Sequence, residues 1–268
     1  INTAANCYEA ILDLDEMSTH ALDQLSVIRE EEENWEALTE ILIRRARYCE
    51  DPAQGTELRH RVATLQSGPL NQPEQAIDTY REILDTDGSD VSALTALEHL
   101  LTEQERWLDL QDILIRRLDC TDDEHERIEV LLRQAQLAET QFNSPDDAVD
   151  AYRQILDIEP THEAASDGIE KLLTASERWE DLVEVLETHS HLASDLGNVE
   201  QELQLLVRIG DIWEQKLSSE SAAIEIYEKV LARDPEHTRA LGALARLHEA
   251  SGDWDRCAEV LEKAAASG

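Results

Sequence analysis

"ERWLDLQDILIRR" spans residues 105–117, and the chain says nearly the same thing three more times. The copies are "ENWEALTEILIRR" at 33–45, "ERWEDLVEVLETH" at 177–189 and "GDWDRCAEVLEKA" at 252–264. Trp35, Trp107, Trp179 and Trp254 are therefore spaced by 72, 72 and 75 residues, and Tyr8, Tyr80, Tyr152 and Tyr227 keep the same three spacings. Residues 73–117 and 145–189 are identical at 19 of 45 positions. Two aromatic series sharing one period mark an array of repeated structural units. The units run 1–72, 73–144, 145–219 and 220–268, the last incomplete.

Each unit holds four helical patterns. "PEQAIDTYREILD" (73–85) puts Ala76, Ile77, Tyr80, Ile83 and Leu84 on one stripe and opens on Pro73, at a position where a helix tolerates proline. The second pattern, 90–103, aligns Leu94, Leu97, Leu100 and Leu101. The third is the opening phrase, with Trp107, Leu110, Ile113 and Leu114 inward. The fourth, 124–142, carries Ile128, Leu131, Leu132, Ala135, Ala138 and Phe142. Period-2 alternation and Asn-Gly turns are missing, so the fold class is all-α, an α-solenoid of about 15 helices. Helices of this length with one apolar stripe need neighbours to be stable, and the recurring Trp and Tyr are expected to be the packing wedges. Apolar heptads never persist long enough for a coiled coil. The third unit's three extra residues fall near 191–202, where Gly197 reads as a helix stop and Asn198 as a cap. Gly68 and Pro69 should end or bend their helix, which makes 53–72 the expected least regular segment.

Half of 72 is 36, about one helix-turn-helix. In "LLVRIGDIWEQKLSSESAAIEIYEKVLARDP" the spacing of Gly210, Trp213, Ala223, Tyr227 and Pro235 resembles the tetratricopeptide repeat, and Ala135, Ala148, Tyr152 and Pro160 repeat it one unit earlier. The second and third helices form a more divergent copy. Ser26, Glu98 and Glu170 stand where Ala245 supplies the family's small residue, so looser packing is expected there. The resemblance implies a right-handed superhelix whose concave face, lined by the second and fourth helices, binds protein or peptide. Its implied binding residues are Ser92, Thr95, His99, Thr102 and Glu103 on one helix and Gln204, Asp211, Glu214 and Gln215 on another.

Composition sets limits on partners. Sixty Asp and Glu face 23 basic residues, a net charge of -37, and only Lys171, Lys216, Lys229 and Lys263 are lysines. Nucleic acid and anionic lipid are disfavoured as partners because both need a cationic footprint. Scarce Lys beside abundant acid suits a protein of high-salt surroundings, where screening relieves self-repulsion. The alternative is that its solvated faces are simply acidic. No apolar run is long enough to span a membrane, and the N-terminus has no signal-peptide pattern. It also lacks an initiator Met, which reads as a chain processed or excised from something longer. Cys7, Cys49, Cys120 and Cys257 are scattered, so they read as apolar fillers rather than a disulfide framework.

Catalytic and metal motifs are not found. "DTDGSD" (85–90) has Gly88 fourth and Ala96 twelfth, against Gly sixth and Glu twelfth in an EF-hand loop, so it reads as a turn with a cap. His189 and His191 point about 200° apart on a helix and suit a solvated helix end better than one metal. Glu30–Glu33 reads as a solvated face and turn. Arg44, Arg45, Arg47, Arg116 and Arg117 follow the first two Trp residues, either to neutralise helix C-termini or as a docking stripe for an acidic partner. The sequence thus implies a non-catalytic interaction scaffold with an acidic concave face, needing no cofactor or metal. Its partner would be a basic or neutral segment; the Lys and Asn carboxylate clamp of chaperone-tail-binding relatives is not found, which disfavours an acidic tail. The alternative is a structural or assembly segment of a longer array that self-associates end to end.

Overall fold

The computed structural model describes residues 2–266. It contains fifteen α-helices: α1 (Asn2–Leu14), α2 (Thr19–Glu31), α3 (Trp35–Arg47), α4 (Pro52–Ser67), α5 (Pro73–Thr86), α6 (Val91–Glu103), α7 (Trp107–Cys120), α8 (Glu124–Leu137), α9 (Pro145–Ile158), α10 (Glu163–Ala175), α11 (Trp179–Asp195), α12 (Val199–Gln215), α13 (Glu220–Arg233), α14 (Thr238–Ser251) and α15 (Trp254–Ala266). A π-turn, Ala138–Phe142, follows α8. Among the described residues there is no strand.

Local chemistry starts and stops these helices. Asn34, Asp51, Asp90 and Asn198 cap α3, α4, α6 and α12 by accepting a backbone N–H two or three residues on, which satisfies an otherwise orphaned donor. Pro52, Pro73 and Pro145 sit in first turns. The turns that precede the Trp-bearing helices each contain one left-handed residue: Glu33, Glu105, Glu177 and Gly252, at φ 54°, 54°, 55° and 75°. The period thus extends to the backbone, although three of the four positions lack the glycine that suits them.

The chain divides into two compact units, residues 1–137 and 138–268. In each unit every helix packs on the next in sequence, the nearest-neighbour arrangement of a repeat array. In the first unit Ala76, Ile77, Tyr80, Ile83 and Leu84 of α5 are buried, as are Leu94, Leu97, Leu100 and Leu101 of α6. Each such leucine contributes about 1.5–3 kcal/mol of burial free energy.

The two aromatic series behave differently. Tyr80, Tyr152 and Tyr227 are 6%, 9% and 0% exposed, but Trp35, Trp107 and Trp179 are only half-buried and Trp254 is exposed. The expectation that both series are wedges is corrected for Trp. Each Trp is the first residue of its helix; Trp35 packs at the edge of the α3–α4 cluster, and Lys216 at the end of α12 lies 4.8 Å over the Trp179 ring. The tyrosines fit against glycines: a Cβ added to Gly168 or Gly210 would lie 2.5 Å from the Tyr152 ring or 2.7 Å from the Tyr227 ring.

Other expectations are met in part. α4 is unbroken from Pro52 through Ser67 and ends at Gly68, as expected, and 68–72 is a turn in which Asn71 is left-handed (φ 51°). The irregular backbone is Ala138–Phe142, inside what reads as one helix over 124–142. Glu98 and Glu170 pair with Arg117 (2.5 Å) and Arg208 (2.5 Å). Of the cysteines, Cys257 is buried, Cys49 and Cys120 are half-buried and Cys7 is exposed, because α1 turns Cys7 away from Ala5 and Leu12. The extra residues of the third unit lengthen α11, which stops at Gly197 (φ 72°) before the Asn198 cap.

An ion-pair clamp recurs with the period. Arg106, at the N-cap of α7, donates to Asp109 (2.6 Å) and to Glu74 of α5 (2.7 Å), while Arg81 of α5 also reaches Asp109 (3.1 Å). Seventy-two residues on, Arg178 donates to Asp181 (2.6 Å) and to Asp146 of α9 (2.6 Å), and Arg153 reaches Asp181 (3.4 Å). Bonding to Asp181 raises the Arg178 pKa.

Candidate protein-docking face

The even-numbered helices carry the residues implied as binding positions. On α6, Ser92, Thr95, His99 and Glu103 are exposed and Thr102 is half-buried, while Leu94, Leu97 and Leu101 on the opposite stripe are fully buried. The exposed positions recur at three- and four-residue steps, so they form one face. Part of it is self-satisfied: Thr95 donates to the Val91 carbonyl (2.8 Å), Thr102 donates to the Glu98 carbonyl (2.7 Å) and accepts from Arg133 of α8 (3.2 Å). His99 lies 3.5 Å from Glu103.

On α12, Gln204 and Gln215 are exposed but Asp211 and Glu214 are committed internally. The Tyr227 hydroxyl donates to Asp211 (2.8 Å) and Glu214 (3.3 Å). Arg239 and Arg246 of α14 reach the same two carboxylates, at 2.5 Å and 3.4 Å. Tyr152 makes the equivalent bond to Glu139 (2.7 Å). Burial pushes both phenols well above their ordinary pKa, and the carboxylate each one meets pushes further. The α6 and α12 sets belong to different compact units.

Asp211 and Glu214 are two ends of a wider pattern. Arg61 of α4 reaches Glu30 of α2 (2.5 Å), His60 reaches Asp90 at the start of α6 (2.8 Å), and Arg208 of α12 reaches Glu170 of α10 (2.5 Å). With Arg133 bonded to Thr102, successive even helices within each unit are joined by a polar rung. The face is consequently mixed in charge, with arginines set among its carboxylates. Sequence reasoning had no signal for this, because partners 28–38 residues apart cannot be paired without the fold.

In the second unit this face opens into a cleft of about 460 Å³ between α10 and α12, over α11. Exposed Glu163 and Asp167, the half-buried Glu170 and the exposed Leu196 line it. Burial pushes the Glu170 carboxyl up, but His189 and Arg208 outweigh it and hold the group below its ordinary value. Further openings lie between odd-numbered helices: about 660 Å³ at α1–α3, 500 Å³ at α3–α5, 220 Å³ at α9–α11 and 410 Å³ at α11–α13.

A serine, a histidine and a carboxylate do line up in the α10–α12 cleft: Ser166 Oγ to His189 Nε2 is 3.4 Å and His189 Nδ1 to Glu170 is 3.7 Å. His189 is thus packed against Glu170 rather than solvated, contrary to the expectation for that helix end, whereas His191 is exposed. Ser166 lies inside α10 and donates to the His162 carbonyl (3.2 Å), so its hydroxyl proton is engaged by the helix backbone. Among the described residues no group of three or more His, Cys, Asp or Glu side chains is placed to hold a metal ion, and no helix is long and apolar enough to cross a membrane.

The remaining candidates resolve into local structure. In "DTDGSD", Asp87 accepts from the Ser89 backbone (3.0 Å) and hydroxyl (2.7 Å), which lowers its pKa, and Asp90 caps α6. Glu30 and Glu32 pair with Arg61 and Arg29, and Glu33 makes the turn. Arg45 and Arg117 reach back to Asp23 of α2 (2.7 Å) and Glu98 of α6 (2.5 Å). Arg44, Arg47 and Arg116 are exposed.

Residues 221–268 match the family model described as "Tetratricopeptide repeat", and the internal period supports the same family for the earlier units. No curated protein matches the chain. Among solved structures it is similar to a tetratricopeptide repeat protein from Parabacteroides merdae, at 17% identity, 94% of this chain, 93% of that chain and TM-score 0.43. It is also similar to YrrB, described as a TPR protein with an unusual peptide-binding site, at 16% identity, 69% and 90% coverage and TM-score 0.37. The P58(IPK) TPR domain matches at 15% identity, 96% and 76% coverage and TM-score 0.38.

Proposed function

We propose, from the premise that this chain is a tetratricopeptide-repeat protein, that it is a non-catalytic scaffold binding a protein or peptide segment along its even-numbered helices. The observation that carries the reading is the α6 face: Ser92, Thr95, His99 and Glu103 are exposed and polar while the fold is held by the stripe behind them. The acidic α10–α12 cleft, with Leu196 68% exposed at its rim, supports a partner with basic and apolar side chains. Charge complementarity would favour encounter with such a segment over an acidic one.

Short fluorescein-labelled peptides graded from acidic to basic test this by fluorescence anisotropy. Basic peptides should bind best, and Glu103→Lys with Glu163→Lys and Asp167→Lys should weaken them about tenfold or more, a loss of about 1.4 kcal/mol. All three side chains are exposed, so circular dichroism should be unchanged. Equal binding by acidic peptides, or basic-peptide binding that survives the triple change, overturns the reading. Asp211 and Glu214 are left alone because they brace Tyr227.

A further inference from the structure

The repeat contains three equivalent helix trios, α3–α4–α5, α7–α8–α9 and α11–α12–α13, and the first is polar where the others are apolar. Leu131, Ala138 and Ala151 of the second trio are buried, as are Leu206 and Ile226 of the third. The first trio has Arg59, Gln66 and Thr79 at these places. Packing does not ask for polar side chains there, since two copies of the same arrangement fold without them. All three line the cleft of about 500 Å³ between α3 and α5.

Gln66 is only 5% exposed. The Thr79 hydroxyl donates to its Oε1 (2.7 Å), which fixes the amide plane. Among the described residues nothing accepts from the Gln66 amide nitrogen, and that nitrogen is not sealed inside the protein. A buried amide is thus left with an unused donor, which is costly unless something takes it. Arg59 lies back along α4 over Gly55, its Nη1 3.5 Å from where a Cβ would stand. The other trios have Arg127 and Glu202 in place of that glycine, so the room for this guanidinium is also particular to the first. Arg47 of α3 adds a second guanidinium, while Asp78 and Glu82 line the cleft from α5. Among the described residues none of these four charged groups has an ion-pair partner, unlike the arginines of the clamps and rungs.

We propose that this cleft is a binding site for a small zwitterion, an amino acid or a molecule with the same pairing of carboxylate and ammonium. Arg47, Arg59 and the Gln66 amide are all donors and take the carboxylate, a group that guanidinium can bind through two parallel hydrogen bonds. Asp78 and Glu82 take the ammonium. A simple anion would be repelled from α5 and a simple cation from the guanidiniums, so a ligand of both signs suits this lining better than either alone. The volume admits a molecule of that size. None of these residues belongs to the proposed peptide face, so each reading can fail alone.

Glycine, β-alanine and γ-aminobutyrate serve as probes, titrated into the isotope-labelled full chain while NMR follows the Gln66 side-chain amide, identified by its loss in Gln66→Ala. These molecules carry no net charge and leave the ionic strength unchanged, so screening cannot imitate binding. At least one should give a saturable shift at millimolar concentration. Arg59→Leu should weaken it at least about tenfold, and so should replacing the probe by acetate or methylammonium at matched ionic strength. Arg59→Leu and Gln66→Ala install the residues that the second trio already holds at these places, so the helical circular dichroism should match the parent. Asp78→Asn with Glu82→Gln, both exposed, is the second variant and should reduce the zwitterion to the affinity of acetate. The proposal is overturned if no probe shifts the signal, or if the shift survives both variants. Acetate binding as well as the best zwitterion overturns it too, because the cleft would then read only a carboxylate, and methylammonium doing so would reduce it to surface acidity.

Discussion

Two glycines in the second unit should respond to alanine in opposite directions, although both lie inside helices. Gly242, in α14, has nothing within 4 Å of where a Cβ would stand. Gly242→Ala should therefore show the plain helix-propensity gain of about 0.8–1.0 kcal/mol. Gly210, in α12, gains the same propensity but its Cβ would come within 2.7 Å of the Tyr227 ring, where ordinary contact begins at 3.4 Å. The ring cannot yield that distance easily, since Tyr227 is 0% exposed and its hydroxyl is held by Asp211 and Glu214. Overpacking costs about 1–3 kcal/mol, and the pinned ring argues for the upper part of that range. Gly210→Ala should then be destabilised by about 1–2 kcal/mol net after the propensity gain. Urea denaturation of the two variants beside the parent measures both. The sites lie in one compact unit, so hydrogen exchange should place the Gly210→Ala loss in α12 and α13 first. A Gly210→Ala variant as stable as Gly242→Ala would refute the view that this glycine exists to receive the tyrosine.

Three further outcomes are expected. Thermal melts between about 0.05 and 2 M salt should rise with concentration, because the -37 charge is screened within about 3 Å at 1 M but over about 30 Å at 0.01 M; a flat series would remove the high-salt reading. Glu105→Gly should stabilise by about 0.5–1 kcal/mol: the left-handed turn at φ 54° costs a side chain about 1–2 kcal/mol, less the extra unfolded-state entropy of glycine. Stability should also fall in alkali. The Tyr152 and Tyr227 phenols have pKa values raised above the ordinary 10.0, so their contribution is intact below that pH and declines above it by about 1.4 kcal/mol per pH unit each. Tyr152→Phe with Tyr227→Phe should remove that slope in pH-dependent urea unfolding.

The period, the helices and the buried tyrosines were legible because each leaves a one-dimensional trace. Apolar residues at Ala76, Ile77, Tyr80, Ile83 and Leu84 need only helical spacing to be read as an inner stripe. Trp107 is only half-buried, which was not legible because spacing places a residue on a helix but does not say how fully the neighbouring helices cover its first turn. Arg106 and Arg178 were visible in the quoted phrases, yet their clamps depend on Glu74 and Asp146, some 32 residues earlier. Asp211 and Glu214 had the same exposed look in sequence as Glu103. Only the meeting of α12, α13 and α14 shows that they serve Tyr227 and two arginines. Local signals, in short, reported helices faithfully and interfaces poorly, since an interface needs two distant addresses.

The ion-pair clamp bears on how a chain of near-copies avoids assembling in the wrong order. Where the second and third units set Arg106, Asp109 and Arg81, then Arg178, Asp181 and Arg153, the last has Asp253, Arg256 and Glu228, with Arg256 3.6 Å from Asp253. The signs are reversed at these three places, and Ser221 stands where Glu74 and Asp146 do. If α15 folded onto α5 instead of α13, Arg256 would oppose Arg81 and Asp253 would oppose Glu74. If α7 took the place of α15 on α13, Asp109 would oppose Glu228. Both exchanges put like charges together, and such juxtapositions discriminate by repulsion even where the apolar stripes are interchangeable. The hydrophobic code says only that any third helix fits any first. The inverted charges act as an address label that tells the last hairpin apart from its siblings while the chain is still choosing its neighbours.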